Sequence, residues 1–209
     1  MFPLSPTHVD AIQAVAGIVT IISFPLIFLS LFIAYQQVRS QTRISRKELS
    51  FNGLMTFSTN YQKISVYRNH LAERFDSGDR TVNRRSVFSY FAQYWLHCSQ
   101  QWDFFLFGLI PADTFIAWTV FAYSVMGEHT IFEYYDKDGS VAVMTGQAYF
   151  ENHFMKGAYR HNKLFFEFYK GLYDLRLQRA DGGQTASDAR YEAISHYVRA
   201  YMKKHRIKL

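Results

Sequence analysis

The residues of this chain whose types could do chemistry are eight histidines, one cysteine and a short acidic loop. His153 and His161 lie eight residues apart. On a continuous helix that is about two turns, or some 12 Å along the axis, too far for both to hold one metal. His70 and Glu73 have a usable three-residue spacing, but no third ligand is marked. No His-Glu-x-x-His motif occurs. The histidines therefore read as surface residues, and no metal is expected. Asp136-Lys137-Asp138-Gly139 has the look of a calcium loop. With Gly139 at the sixth position, however, Tyr134 would stand first and Thr145 twelfth, where such a loop needs oxygen ligands and a final bidentate glutamate. It reads as a turn.

Cys98 falls on an apolar stripe between Trp95 and Trp102, so it reads as a small buried hydrophobe. A reactive thiolate would need basic, accessible surroundings. One cysteine also excludes an intramolecular disulfide and a cysteine-based zinc cage. There is no Gly-x-Ser-x-Gly elbow, no phosphate-binding glycine loop and no kinase signature. The sequence thus marks no catalytic residue and no cofactor. A catalytic reading would require Asp103, Glu128, His129 and His153 to converge in three dimensions.

The net charge of +6 is modest, and much of it sits in two places. Arg39, Arg43, Arg46 and Lys47 follow a long apolar run; Arg199, Lys203, Lys204, Arg206 and Lys208 crowd the C-terminus. The simplest reading of the C-terminal set is cations at a helix C-terminus. Contact with acidic lipid or with a phosphate is the alternative. Arg84, Arg85, Arg199, Lys203, Lys204 and Arg206 are the candidate ligand-binding residues, should the protein bind a phosphorylated or nucleotide signal. Tyr197 and Tyr201 would suit base stacking but equally suit a core face.

What must position these residues begins with the apolar run itself. Ala11 to Val38 contains no charged side chain. Roughly 20 helical residues cross a ~30 Å hydrocarbon core, and a chain in lipid must satisfy its own hydrogen bonds, so a transmembrane helix is expected. The segment before it has no Lys or Arg, whereas the basic run follows it. The excess of positive charge places the short N-terminus outside and the rest in the cytosol. A cleaved signal peptide would carry its charge before a shorter apolar stretch.

Past the run, the apolar residues Leu54, Phe57, Tyr61, Ile64, Leu71 and Phe75 recur on one helical face up to a turn at Ser77-Gly78. Phe88, Phe91, Trp95, Cys98, Trp102, Phe105 and Leu109 follow a 3-4 spacing, widened by Tyr90, Tyr94 and Phe104. This helix should be buried on two sides. Gly108 suits its C-terminal cap and Pro111 the first turn of the next helix, with Asp113 complementing that N-terminus. Residues 131–144, rich in β-branched and aromatic types around Asp138-Gly139, predict a hairpin, an ordered loop or a short helix extension being the alternative. Helical periodicity returns from Gln147 to Leu177, and a last helix capped by Ser187 or Asp188 carries Tyr191, Ile194, Tyr197, Val198 and Tyr201. With 20 Phe, 15 Tyr and 3 Trp, the core should be strongly aromatic.

The basic run RSQTRISRK, Tyr90-Phe91, Gly108-Leu109-Ile110-Pro111 and Trp118 resemble a broad, uncharacterised group of bacterial single-pass membrane proteins. These have one N-terminal span, a long post-membrane helix and an aromatic helical region. The resemblance covers about half of the chain, and it carries over no functional residue.

The expected fold is mainly α, with one N-terminal transmembrane helix, a cytosolic helical bundle and a small hairpin near 131–144. The expected parts are 1–10, a short extracytoplasmic N-terminus; 11–38, the span; 39–76, a juxtamembrane stalk; 77–179, a helical core; 180–188, a linker; and 189–209, a basic helix. The expected function is a non-enzymatic interaction protein of the bacterial inner membrane, an accessory subunit, scaffold or local regulator. Arg39, Arg43, Arg46 and Lys47 would sit at the bilayer interface, and a protein or a second copy would be the partner. The alternative is an oligomeric membrane effector gated by a phosphorylated or nucleotide signal; nucleic acid is not favoured.

Overall fold

A computed structural model of the chain describes residues 6–180 and 187–207, with side chains from 29 onward except 158, 179, 180, 187 and 188. The elements in order are α1 (Pro6–Asp76), α2 (Arg84–Leu106), α3 (Ala112–Val125), β1 (Ile131–Tyr135), β2 (Val141–Thr145), a one-turn α4 (Gly146–Tyr149), a π-helical segment (Phe150–Ala158), α5 (Lys163–Ala180) and α6 (Ser187–Lys204). The chain is mainly helical with one small antiparallel hairpin. Most of the expected linker, 181–186, lies outside the described residues.

Contacts divide the chain into two compact units, Met1–Leu49 and Ser50–Leu209. In the first, most of the Ala11–Val38 run has side chains outside the described residues; Leu29 to Val38 are helical and exposed throughout. Among the described residues no helix is long and apolar enough to cross a membrane. Arg39, Arg43, Arg46 and Lys47 are exposed and, at spacings of four, three and one, share one helical face.

The second unit is built around α2. Ten of its residues are buried, from Val87 through Trp95 and Trp102 to Phe105, and they lie on more than one face. The C-terminal part of α1 runs antiparallel beside it. Phe57 meets Phe104 edge-on at 4.9 Å near one end of α2, while the Tyr67 hydroxyl donates to the Ser86 carbonyl near the other. Phe57, Ile64 and Leu71 are buried here, at a seven-residue step. Residues 50–76 therefore belong to the core, whereas the sequence reading set 39–76 apart as a stalk. The amphipathic face was legible; what covers it was not.

Caps fix the helix ends. The Asn83 side chain accepts from the backbone N–H groups of Arg85 and Ser86 and starts α2. At the other end Gly108, at φ +68°, lets its own N–H reach the Phe105 carbonyl and that of Leu109 reach Phe104. This is the left-handed stop that glycine adopts most readily. Pro111 is the N-cap of α3 rather than its first helical residue, and Asp113 occupies the first turn.

The hairpin pairs Ile131 with Thr145 through Tyr135 with Val141. Asp136 to Ser140 close it: the Asp136 N–H donates to the Ser140 carbonyl at 2.8 Å, and Asp138 accepts from both the backbone and hydroxyl of Ser140. Strand β1 is tied to the turn before α2 by the Tyr135 N–H, which donates to the Val82 carbonyl at 2.9 Å. Phe132, Tyr134 and Met144 face the core.

The helical period predicted from Gln147 to Leu177 is not continuous. It is broken at Gly157, whose φ of +135° no helix contains, and α5 restarts at Lys163. The Asn162 carboxamide accepts from the Phe165 N–H and caps the restart. Apolar spacing carries on through such a break because the core needs rings on both sides of it.

At the end of α6, Arg206 (φ +54°) takes the same left-handed position as Gly108, with the Ile207 N–H reaching the Met202 carbonyl. A non-glycine residue there costs on the order of 1 kcal/mol. Thermal unfolding should therefore separate two substitutions of opposite sign: Gly108→Ala lowers stability by about 1 kcal/mol, and Arg206→Gly raises it by about 0.5–1 kcal/mol.

Candidate functional site

Three helices line an open cavity of about 180 Å³ in the second unit. Each contributes residues at helical spacing: Leu54, Phe57, Ser58 and Tyr61 from α1, Tyr94, His97 and Gln101 from α2, and Trp118 and Phe121 from α3. Phe57, Tyr94, His97 and Gln101 are buried and form its floor; Ser58, Tyr61 and Phe121 are exposed and form its rim. The rings meet edge-on or tilted. Phe57 lies 5.7 Å from the His97 ring and 5.6 Å from Trp118, and Tyr61 lies 6.2 Å from Phe121.

The burial of His97 corrects the expectation that the histidines are surface residues. It is 3 % exposed, and its Nε2 lies 3.0 Å from the Gln101 carboxamide nitrogen. With that N–H donating, the proton of the neutral ring is on Nδ1, which has no hydrogen-bond partner. Burial lowers its pKa to about 4, so the ring is neutral at pH 7. An i, i+4 pair of His and Gln on an aromatic stripe was the available signal, and the surrounding rings hid it.

The next residue, Cys98, is buried, as its place on the apolar stripe predicts. Burial pushes its thiol up to about 12, and the Tyr94 and Tyr169 hydroxyls pair with it. It is no nucleophile at neutral pH.

A second concavity, basic in character, is lined by Arg84, His153 and Lys156 together with Tyr134, Met144, Tyr149 and Asn152. His153 packs edge-on against Phe88 at 4.8 Å. Its pKa is lowered by partial burial and then by the charges of Arg84 and Lys156. Among the described residues the ion pairs are Arg74–Asp79, Lys163–Glu167 and Arg199–Asp113, so neither Arg84 nor Lys156 has a carboxylate partner.

The remaining candidate residues are scattered. Arg85 is exposed and does not line the groove. Arg199 pairs with Asp113 at 2.9 Å on the surface, Lys203 and Lys204 occupy the exposed last turn of α6, and Arg206 follows it. Tyr201 of α6 packs on Trp102, at the opposite end of α2 from Arg84 and roughly 27 Å along that helix. The C-terminal cations and Arg84 do not form one site. Tyr197 and Tyr201 face inward, their hydroxyls donating to the carbonyls of Phe168 and Leu164. Asp103 lies near Asn162, while His153 sits against Phe88 near the start of α2; Glu128 and His129 are exposed before β1. Those four do not converge. Among the described residues no three metal-ligating side chains gather.

The depressed His97 pKa has a measurable consequence. The unfolded chain binds a proton near pH 6.5 and the folded chain only near pH 4. Its contribution is present in full above pH 6.5 and is lost as pH falls from 6.5 to 4, about 3 kcal/mol in all. Denaturant unfolding across that range should show the decline in the wild type, and its slope should shrink in His97→Phe. No protein-family model, curated protein or solved structure matches the chain.

Proposed function

We propose that this is a membrane-anchored, non-enzymatic interaction protein, held at a bacterial inner membrane by Ala11–Val38 with its C-terminal region in the cytosol. The uncharged run, followed by Arg39, Arg43, Arg46 and Lys47, supports the anchor and its orientation. Cations on one helical face next to a span suit an anionic leaflet.

The observation that carries the interaction reading is the outer face of the hairpin. Ile131, Val141 and Val143 are each more than half exposed, and β2 carries no charged residue. Strand order is β1–β2, so among the described residues no strand covers the far edge of β2. Proteins normally blunt such an edge with lysine, proline or a bulge. An edge without a neighbouring strand, beside apolar side chains, is where a partner strand is added. The partner is a protein segment or β2 of a second copy.

A photo-crosslinking residue at Val143 in cells should give one discrete adduct, and the same residue at exposed Lys163 should give none. Equal labelling at both positions, or none at 143, would sink the reading. Alkaline carbonate should leave the protein in the membrane pellet, and removal of residues 11–38 should release it.

One observation favours the alternative, an effector responding to a phosphorylated signal: two cations without carboxylate partners share a groove with His153. At low salt, pyrophosphate should raise the melting temperature of the wild type and leave that of an Arg84→Ala/Lys156→Ala variant unmoved. The shift should fade as salt screens the charges.

A further inference from the structure

The basic groove and the edge of β2 that no described strand covers are parts of one surface. Consecutive residues of a strand point to opposite faces of its sheet. Val143 is on the exposed face of the hairpin and Met144 on the face turned to the core, yet both line the groove. A surface that takes in both faces of a strand lies along its edge. Strand β1 occupies the other edge of β2, so the groove runs beside the open one. It also takes in Asn152 and Lys156 from the π-helical segment and Arg84 from the first turn of α2. Its volume is about 300 Å³, at the lower limit for small-molecule sites and enough for a side chain or two.

The groove holds an excess of positive charge. Lys156 Nζ donates to the neutral Asn152 carboxamide oxygen at 3.1 Å, and among the described residues neither it nor Arg84 meets a carboxylate. The pKa of His153 is depressed by partial burial first and then by both cations, so their fields meet at its ring. Acids on the neighbouring elements are directed elsewhere: Glu133 lines a separate groove on the β1 side, and Glu151 is held by Gln147 and Tyr173. Like charges gathered in this way favour an anion, and complementary charge beside a docking surface speeds encounter and excludes wrong partners.

We propose that the strand added at β2 belongs to another protein and carries an aspartate or glutamate, within about four residues of its pairing with Val143, that seats in the groove of Arg84 and Lys156. An extended chain advances roughly 3.3 Å per residue, so three or four residues cross a groove of this size. The inference rests on the hairpin-edge reading and names the chemistry of its partner. A second copy is the poorer occupant. Its β2 carries no charged residue, and the carboxylates at its hairpin tip are engaged, Asp138 by the Ser140 N–H and hydroxyl and Asp136 by the Lys137 N–H.

The test places the photo-crosslinking residue at Val143 in four full-length proteins. They are the wild type, Arg84→Glu/Lys156→Glu, Arg84→Gln/Lys156→Gln and Arg85→Glu/Lys170→Glu. The last makes the same change in net charge as the first pair, at exposed positions outside the groove. Adduct yield is measured in cells, and the crosslinked segment is sequenced by mass spectrometry. Yield should fall about tenfold or more in the glutamate pair and about threefold in the glutamine pair, and stay within about twofold in the control. The captured segment should carry an aspartate or glutamate within about four residues of the crosslink. The proposal is overturned if reversing the groove charges leaves the adduct intact or if the control lowers it equally. It is equally overturned if the segment has no acid in that window, or if the adduct joins two copies of this chain. In each of those cases the adduct itself exists and the hairpin-edge reading survives; absence of any adduct in the wild type removes both. Circular dichroism on the glutamate pair separates a lost site from a lost fold, and the glutamine pair decides the matter if the reversal unfolds the protein.

Discussion

Burying α2 on several faces at once is the constraint on which the second unit depends. A helix with Trp95, Trp102, Phe91 and Phe105 all sealed from water needs apolar neighbours around its circumference. The C-terminal part of α1, α3, the π-helical segment, α5 and the hairpin supply them. Trp95 is held by Phe150, Phe154 and Tyr169, with ring centroids near 5 Å. Trp102 is held by Phe115, Phe165 and Phe168, and Phe105 stacks on Phe115 at 4.2 Å. Removing such a ring leaves a cavity that costs about 3–5 kcal/mol. The same density strands polar atoms: the indole N–H groups of Trp95 and Trp102 and the His97 Nδ1 are buried without partners. Ring faces surround both indoles and offer only weak acceptors.

Dispersion and burial are indifferent to direction, so a core made of rings needs something else to set orientation. Tyrosine hydroxyls do this by donating to backbone carbonyls of other elements. Tyr197 and Tyr201 bind α6 to α5, Tyr67 ties α1 to the start of α2, and Tyr159 reaches the Ala92 carbonyl of α2. Burial holds the phenols of Tyr94 and Tyr169 well above their ordinary range, so they are neutral at pH 7. Arg176 plays a related part, its guanidinium donating to the Tyr123 carbonyl and lying 5.1 Å over that residue's ring.

The candidate surfaces are by-products of how this core is closed. Where α1, α2 and α3 fail to interdigitate, the His97 cavity is left. A groove lined by hairpin residues and the π-helical segment leaves Arg84 and Lys156 without carboxylates. Where the hairpin turns its second face outward, valines meet solvent. None of these is a consequence of a single element, and each needs at least two.

Local chemistry was readable from residue order. Apolar periodicity marked α2 and the buried face of α1; Gly78 and Gly108 marked helix ends through their tolerance of positive φ; Asp138-Gly139 marked the hairpin turn. These depend on contacts within a few residues, which a sequence displays directly. The break at Gly157 was invisible, because spacing continues across a bend whose two sides face one core. The candidate site was harder still. Of the six proposed ligand cations Arg84 lines the basic groove, and its companions there, Lys156 and His153, lie some seventy residues further along the chain. His97 carries no sequence mark of burial beyond its place on an aromatic stripe. Residue order by itself determined which elements form and which of their faces are apolar, since propensity, capping and periodicity act locally. Which charges converge, and which imidazole is shut away from water, only the tertiary structure decided, because burial and electrostatic fields are sums over neighbours that the chain brings together from a distance.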